Sequence, residues 1–153
     1  MLDLNKALDL QQREIKISTV RKVGSSSTGG KLYCGRYKSR NYFGFNPMDL
    51  GLGNPFSHKN SPNCVWRVNT LAECLEGYKQ WLWKLICNVN SQNNLADWER
   101  MYLSRFLHLV DNLDNYNTLV CYCTNTKHNI QNTNIVCHAQ ILWNFAVWFK
   151  INC

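Results

Sequence analysis

The sequence lacks every motif that would assign a catalytic mechanism directly. It has no paired carboxylates, no G-x-S-x-G, no Walker loop and no H-E-x-x-H. It also lacks a long apolar run, since the most apolar C-terminal stretch, Ile141 to Phe149, is far too short to cross a bilayer and contains Asn144. No internal repeat is evident. These absences favour binding over catalysis and predict a protein without a membrane partner.

The start of the sequence leads us to expect no secretory leader. The first residues, MLDLNKALDL, carry two acids and no continuous apolar core. We therefore expect a cytoplasmic protein whose eight cysteines are free thiols rather than a disulfide framework. Several of these cysteines, among them Cys74 and Cys87, fall where a helix would bury a small apolar side chain.

What the sequence has is an uneven positive charge. The net charge is +7, and residues 1–60 hold ten Lys and Arg against four acids, whereas residues 61–153 hold seven against six. A positive field of this kind favours an anionic small molecule or another acidic partner. No basic run is dense enough for a nucleic-acid-binding arm. Nucleic acid is therefore kept as an alternative partner and not as the first prediction.

Length and pattern predict one small α/β domain over residues 1–153, with residues 1–13 weakly helical and loosely ordered. Strands are predicted in EIKISTVRKV, KLYCGR and the continuous apolar run TLVCYC. A capping box, TLAE, predicts a helix whose buried face begins at Leu71. A second helix is predicted from about Leu95 to Asn112. The third begins at Cys137 and is predicted to bury Ile141, Leu142, Phe145, Trp148 and Phe149. The sheet is expected to be mixed or parallel, flanked by about three helices, and the irregular residues 37–64 are predicted to form a functional loop.

A cluster of cysteines surrounds the last predicted strand and the last helix. Side chains alternate along a strand, so Cys121 and Cys123 are expected to point to the same face. Cys137 and His138 open the helix that follows. Ligands often bind at strand ends of α/β sheets and at helix N-termini, so we expect Cys123, Cys137 and His138 to lie close together.

Three interpretations of this cluster stay open. A tetrahedral zinc ion could be held by four side chains, with His58 or His128 as a substitute ligand: Cys121, Cys123, Cys137 and His138. Alternatively, Cys137 could be a reactive thiolate assisted by His138, because a helix N-terminus lowers the pKa of a thiol. In the third interpretation the cysteines fill a core or shape a ligand pocket without chemistry. The catalytic residues are therefore unknown, with Cys137 and His138 as candidates.

A glycine-rich turn in the basic half predicts an anion site. Gly51, Gly53, Asn54 and Pro55 allow a tight turn whose backbone can be approached closely. The guanidinium of Arg36 could donate two parallel hydrogen bonds to a phosphate or carboxylate. Substituting Arg36 is accordingly predicted to weaken phosphate binding with little effect on stability.

The order of these motifs carries a family resemblance. "YCGR", "GNPF", an arginine before a helix with "Y-x-x-WL", "CYC" and "CHAQIL" follow one another from about Val20 to Trp148. This series resembles the bacterial and phage family of domains of unknown function DUF4326, whose pattern is GR…GNPF…Y…WL…CWC…CHG. Tyr122 stands where the family usually has Trp, and Ala139 where it commonly has Gly. The resemblance implies a shared fold, no established activity and a role in phage–host biology.

The resulting prediction is a small cytoplasmic domain, in the host cell if phage-encoded, that binds a phosphate-bearing small molecule or nucleotide. One pocket is expected to be lined by residues of the GR, GNPF and CYC…CH motifs: Gly35, Arg36, Gly53, Asn54, Pro55, Phe56, Arg67, Cys121, Cys123, Cys137 and His138. Two alternatives remain: a cysteine- or metal-dependent enzyme acting on a nucleotide-like substrate, and a nucleic-acid or host-protein binder.

Overall fold

The computed structural model describes residues 4–13, 15–19, 29–36, 45–59, 63–121, 128–129 and 137–153. Within these ranges the helices are α1 (Leu4–Gln12), α2 (Leu71–Cys87), α3 (Asp97–Asp111) and α4 (His138–Asn152). The strands are β1 (Lys16–Thr19), β2 (Lys31–Tyr33), β3 (Phe56–Ser57), β4 (Trp66–Arg67), β5 (Thr118–Cys121) and β6 (His128–Asn129). The predicted small α/β fold with a mixed sheet is confirmed. None of the helices in these ranges is long and apolar enough to span a membrane.

The chain divides into two compact units. The first comprises residues 1–34 and 106–153, and the second comprises residues 35–105. The prediction that residues 1–153 form a single domain stays a prediction.

The first unit contains a mixed sheet with strand order β2-β5-β1-β6. Both β1 and β2 run parallel to β5, and β6 runs antiparallel to β1. Leu119 of β5 stands level with Ile17 of β1 and Leu32 of β2, and all three side chains are buried. Val120, on the opposite face of β5, is buried as well. A strand that is buried on both faces needs a continuous apolar run, and the apolar run at β5 therefore predicts a buried strand.

The last helix of this unit, α4, is buried mainly along its first half. Ile141, Leu142 and Ala146 are in the core. Phe149 packs edge-on against Phe106 of α3, with ring centroids 6.0 Å apart. The prediction that Trp148 faces inward is wrong, since its side chain is 40% exposed. A helix that is apolar on nearly every side gives no sequence signal for which side is buried.

The second unit is built around α2 and an aromatic cluster. The predicted helix start is confirmed: Thr70 Oγ1 accepts from the Glu73 amide at 3.1 Å, and Glu73 Oε2 accepts from the Asn69 amide at 2.8 Å. Four rings pack in succession, with centroid separations of 5.7, 5.5 and 4.7 Å: Trp66, Trp98, Trp81 and Tyr102. Trp81 and Tyr102 are buried in this cluster, whereas Trp66 is 39% exposed at its edge.

Two predictions about α2 are wrong at its ends. Leu71 is 40% exposed and Cys87 is exposed, although Cys74 between them is buried as predicted. Both wrongly placed residues occupy terminal positions of the helix, where fewer neighbouring elements cover the side chains. Periodicity identifies the face of a helix, but it does not say how far along that face the core extends.

Gly77, in the middle of α2, makes room for Phe56 of β3. A Cβ added at Gly77 would meet the Phe56 ring at 2.8 Å from Cε1. Glycine to alanine within a helix normally stabilises by roughly 0.5–1 kcal/mol. Here we expect Gly77→Ala to destabilise by about 1–2 kcal/mol instead, because overpacking outweighs helix propensity. Urea unfolding would measure the change.

A double-mutant cycle separates the two effects. In a Phe56→Leu background the ring contact is absent, so Gly77→Ala should become neutral or stabilising. An equal loss of stability in both backgrounds would show that the contact with Phe56 is not the cause.

Candidate ligand site

The carboxyl ends of three strands lie along one edge of the sheet in the first unit. β5 ends at Cys121, level with Thr19 at the end of β1. β2 is followed by Cys34, whose amide donates to the Val120 carbonyl at 2.7 Å. In α/β proteins this edge is the usual place for ligands, because the loops that follow parallel strands meet there.

The N-terminus of α4 lies at this edge of the sheet. Cys137 is the residue that caps the helix: its Sγ accepts from the Ala139 amide at 3.4 Å. Its own amide donates to Gln140 Oε1 at 3.0 Å. The Gln140 side chain is fully buried. Cysteine thus takes the place of the serine or threonine that usually opens a capping box.

Two contacts place the start of α4 beside the strand ends. Cys137 Sγ lies 2.8 Å from Cys121 Sγ, and both side chains are 0% exposed. His138 Nε2 lies 2.7 Å from the Cys34 carbonyl oxygen. The sequence predicted that Cys123, Cys137 and His138 lie close together, and the structure places Cys121 beside Cys137. The predicted partner, Cys123, falls outside the residues that the structure describes.

His138 is almost entirely buried, with 2% of its surface exposed. A carbonyl oxygen can only accept a hydrogen bond, so Nε2 must carry the proton. We expect ¹⁵N–¹H NMR correlation spectra at neutral pH to show a protonated Nε2 on this ring. The exposed His108 is the reference signal, and a bare Nε2 on His138 would contradict the contact.

The zinc interpretation stays a prediction. Over the described ranges no group of three His, Cys, Asp or Glu side chains is close enough to hold a metal. Cys121 and Cys137 supply two sulfur ligands, whereas a structural zinc needs four ligands. His138 could serve only through Nδ1, since Nε2 is bonded to Cys34. His58 belongs to the second unit, and Cys123 and the side chain of His128 are outside the description.

Arg36, predicted to bind an anion, is bonded to backbone carbonyls of the second unit. Its Nε donates to the Asn54 oxygen at 2.7 Å, and its Nη2 donates to the Phe56 oxygen at 2.7 Å. Its Nη1 donates to the Asn63 oxygen at 2.6 Å. The guanidinium therefore ties together three points of the loop that contains GNPF. Its predicted role in anion binding is not tested by these contacts.

The residues of the GNPF motif also make structural contacts, as Arg36 does. A Cβ at Gly53 would lie 2.6 Å from Arg36 Cγ and 2.9 Å from its amide nitrogen, so only glycine allows Arg36 to pass this closely. Asn54 Oδ1 accepts from the Phe56 amide at 2.9 Å, and its Nδ2 donates to Cys74 Sγ at 3.2 Å. Pro55 accepts from two amides through its carbonyl, those of Val65 and Trp66. The turn is thus built by local hydrogen bonds and by α2.

The structure also describes the last two predicted site residues, Gly35 and Arg67. Gly35 is buried beside Arg36 in the chain, and Arg67 is exposed on β4. Sequence reasoning missed Arg105, whose Nη2 donates to the Met48 carbonyl at 2.9 Å in the same unit. No local sequence signal could have identified Arg105, because its partner is a backbone carbonyl and every residue has one.

A comparison with protein families identifies one match. The family model described as "Domain of unknown function (DUF4326)" matches residues 17–148, which is most of the chain. No curated protein and no solved structure matches the chain.

Proposed function

This chain belongs to the DUF4326 family, and we propose that it binds a phosphate-bearing small molecule or nucleotide at the carboxyl edge of the parallel strands in its first unit. The family description names no activity, so the proposal rests on geometry and charge. It concerns binding rather than catalysis, because the motifs that would assign a mechanism are missing from the sequence.

The observation that carries the proposal is the position of the α4 N-terminus. The helix starts beside the ends of β2 and β5, held there by the contacts of Cys137 and His138. Aligned peptide dipoles give a helix N-terminus the equivalent of about half a positive charge. Parallel strand ends combined with a helix start form the usual phosphate-binding arrangement of α/β proteins.

The distribution of charge supports an anionic ligand. In the sequence, Arg21 and Lys22 follow β1 directly after Val20, and β1 ends level with Cys121. No acid occurs between Lys16 and Asp49. Positive charge that follows a strand end in the sequence favours phosphate compounds as ligands.

In this proposal the buried side chains position the site and do not touch the ligand. Cys121 and Cys137 are in contact with each other where β5 ends and α4 begins. His138 fixes the direction of the helix by its bond to Cys34. Gln140 holds the Cys137 amide, so that the first helical turn keeps its shape without a ligand.

Calorimetric titration of the full chain tests the proposal. We expect inorganic phosphate, AMP and ATP to bind, with affinity falling as the salt concentration rises, and the matched nucleoside adenosine to bind far more weakly. Equal affinity for adenosine and AMP would contradict a phosphate site. The absence of binding by all four compounds at millimolar concentration would overturn the proposal for adenine nucleotides and phosphate alike.

A pair of lysine variants locates the site. Lys22→Ala should weaken phosphate binding about tenfold or more, as expected when a charged contact is lost. Lys150→Ala is the control, since Lys150 lies twelve residues along α4 from His138, about 18 Å at 1.5 Å per residue. Equal losses in the two variants would indicate nonspecific charge attraction instead of a site at the helix start.

A further inference from the structure

We infer that Cys121 and Cys137 are a site of reversible oxidation, at which a disulfide forms when the protein meets an oxidised low-molecular-weight disulfide such as glutathione disulfide. The inference does not depend on the proposed ligand. It concerns the described cysteines of the first unit, which are free thiols in this structure.

The two sulfur atoms are already close together. Their separation of 2.8 Å exceeds a disulfide bond length of about 2.05 Å by roughly 0.75 Å. Small side-chain rotations cover a difference of that size. The disulfide therefore requires neither Cys121 nor Cys137 to leave its place in the backbone.

Separate anchors hold each partner. Cys121 is fixed by the pairing of β5 with β1 and β2. Cys137 is fixed by the capping box with Gln140, and the neighbouring His138 by the Cys34 carbonyl. Because these anchors do not involve the contact between the sulfurs, the pair stays juxtaposed in the reduced protein. Such pre-organisation raises the effective concentration of one thiol at the other.

Among the described cysteines of this unit, the other buried one is arranged differently. Cys34 Sγ donates to the Leu32 carbonyl at 3.6 Å, within its own strand region. Cys153 is exposed at the end of α4. Among the described cysteines of the unit, Cys121 and Cys137 are thus the pair that the geometry selects.

The reaction balances as two exchange steps. The thiolate of one cysteine attacks glutathione disulfide, forming a mixed disulfide and releasing one glutathione thiol. The second thiolate attacks the protein sulfur of that mixed disulfide and releases the second glutathione. The two protein thiols lose two electrons and two protons, and one glutathione disulfide becomes two glutathione thiols. Since both cysteines are fully buried, the first step needs local opening and should be slower than reaction at the exposed Cys87 and Cys153.

Peptide mapping of the full chain tests the inference. The native protein would be equilibrated with glutathione disulfide, its remaining thiols blocked with N-ethylmaleimide in denaturant, and the product digested with trypsin. Cleavage after Arg105 and Lys127 separates the peptide with Cys121 from the peptide with Cys137. We expect these two peptides to be linked before reduction and separate afterwards. The oxidised protein should melt about 6–12 °C higher than the reduced one, because the bond closes a loop of 15 residues.

Serine variants identify the partners. Cys123→Ser is the matched control, since it removes the other thiol of the same peptide and should leave the crosslink in place. Cys121→Ser should abolish the crosslink, and Cys137→Ser should also abolish it while keeping a good helix cap. A crosslink that survives Cys121→Ser but not Cys123→Ser would overturn the assignment. The unsubstituted protein gives a second test that does not depend on the folding of a variant. If its two peptides stay unlinked after Cys87 and Cys153 have become glutathionylated, the inference is also overturned.

Discussion

Replacing Arg36 by alanine is expected to lower the free energy of unfolding by about 2–5 kcal/mol. The side chain donates to three backbone carbonyls, those of Asn54, Phe56 and Asn63. A hydrogen bond that involves a charged group contributes roughly 1.5–3 kcal/mol, and the partial exposure of Arg36 reduces the sum. Urea denaturation of the purified variant measures the loss. Arg36→Lys should recover only part of it, because an ammonium cannot reach three divergent acceptors in one plane.

Lys79→Ala is the control for removing a positive charge from the same unit. Lys79 is exposed on α2, so its replacement should change stability by no more than about 0.5 kcal/mol. The sequence alone predicted that Arg36→Ala would leave stability nearly intact and weaken phosphate binding. If that result were obtained, Arg36 would be a ligand-binding residue and the carbonyl contacts would contribute little.

Replacing His138 by alanine is expected to cost about 2–4 kcal/mol of stability. Two effects add: the buried ring leaves a cavity, and the Cys34 carbonyl loses its donor. His138→Gln should be less harmful, since its amide can donate to the same oxygen. The measurement is again the free energy of unfolding, with thermal melts as a second readout.

His108→Ala provides the comparison, because His108 is exposed on α3. Its replacement should change stability by no more than about 0.5 kcal/mol. Equal effects at both histidines would mean that the Cys34 contact does not stabilise the start of α4.

Elements with strong local signals were predictable. The capping box at Thr70 and Glu73 identifies the start of α2 because its donors and acceptors are three and four residues apart. The continuous apolar run at β5 identifies a strand covered on both faces. In contrast, β3 and β4 are two residues each and pair with one another at Phe56 and Trp66, so they carry no periodic signal.

Positions at the limits of the core were not predictable. Trp148 follows the same apolar pattern as Leu142, yet the first is exposed and the second is buried. The sequence specifies which residues favour burial, but the amount of surface covered depends on the length and placement of neighbouring elements. Leu71, at the start of α2, follows the same rule.

The α/β class, the family and the two regions that carry its motifs could all be predicted before any contact was known. These follow from local spacing and from motif order, which are properties of the chain alone. The contacts of the motif side chains could not be predicted: Cys137 contacts Cys121, His138 contacts the Cys34 carbonyl, and Arg36 contacts three carbonyls. The physical reason is that these partners are distant in sequence or belong to the backbone. Strand register and helix placement bring them together, and a backbone oxygen is identical at every residue.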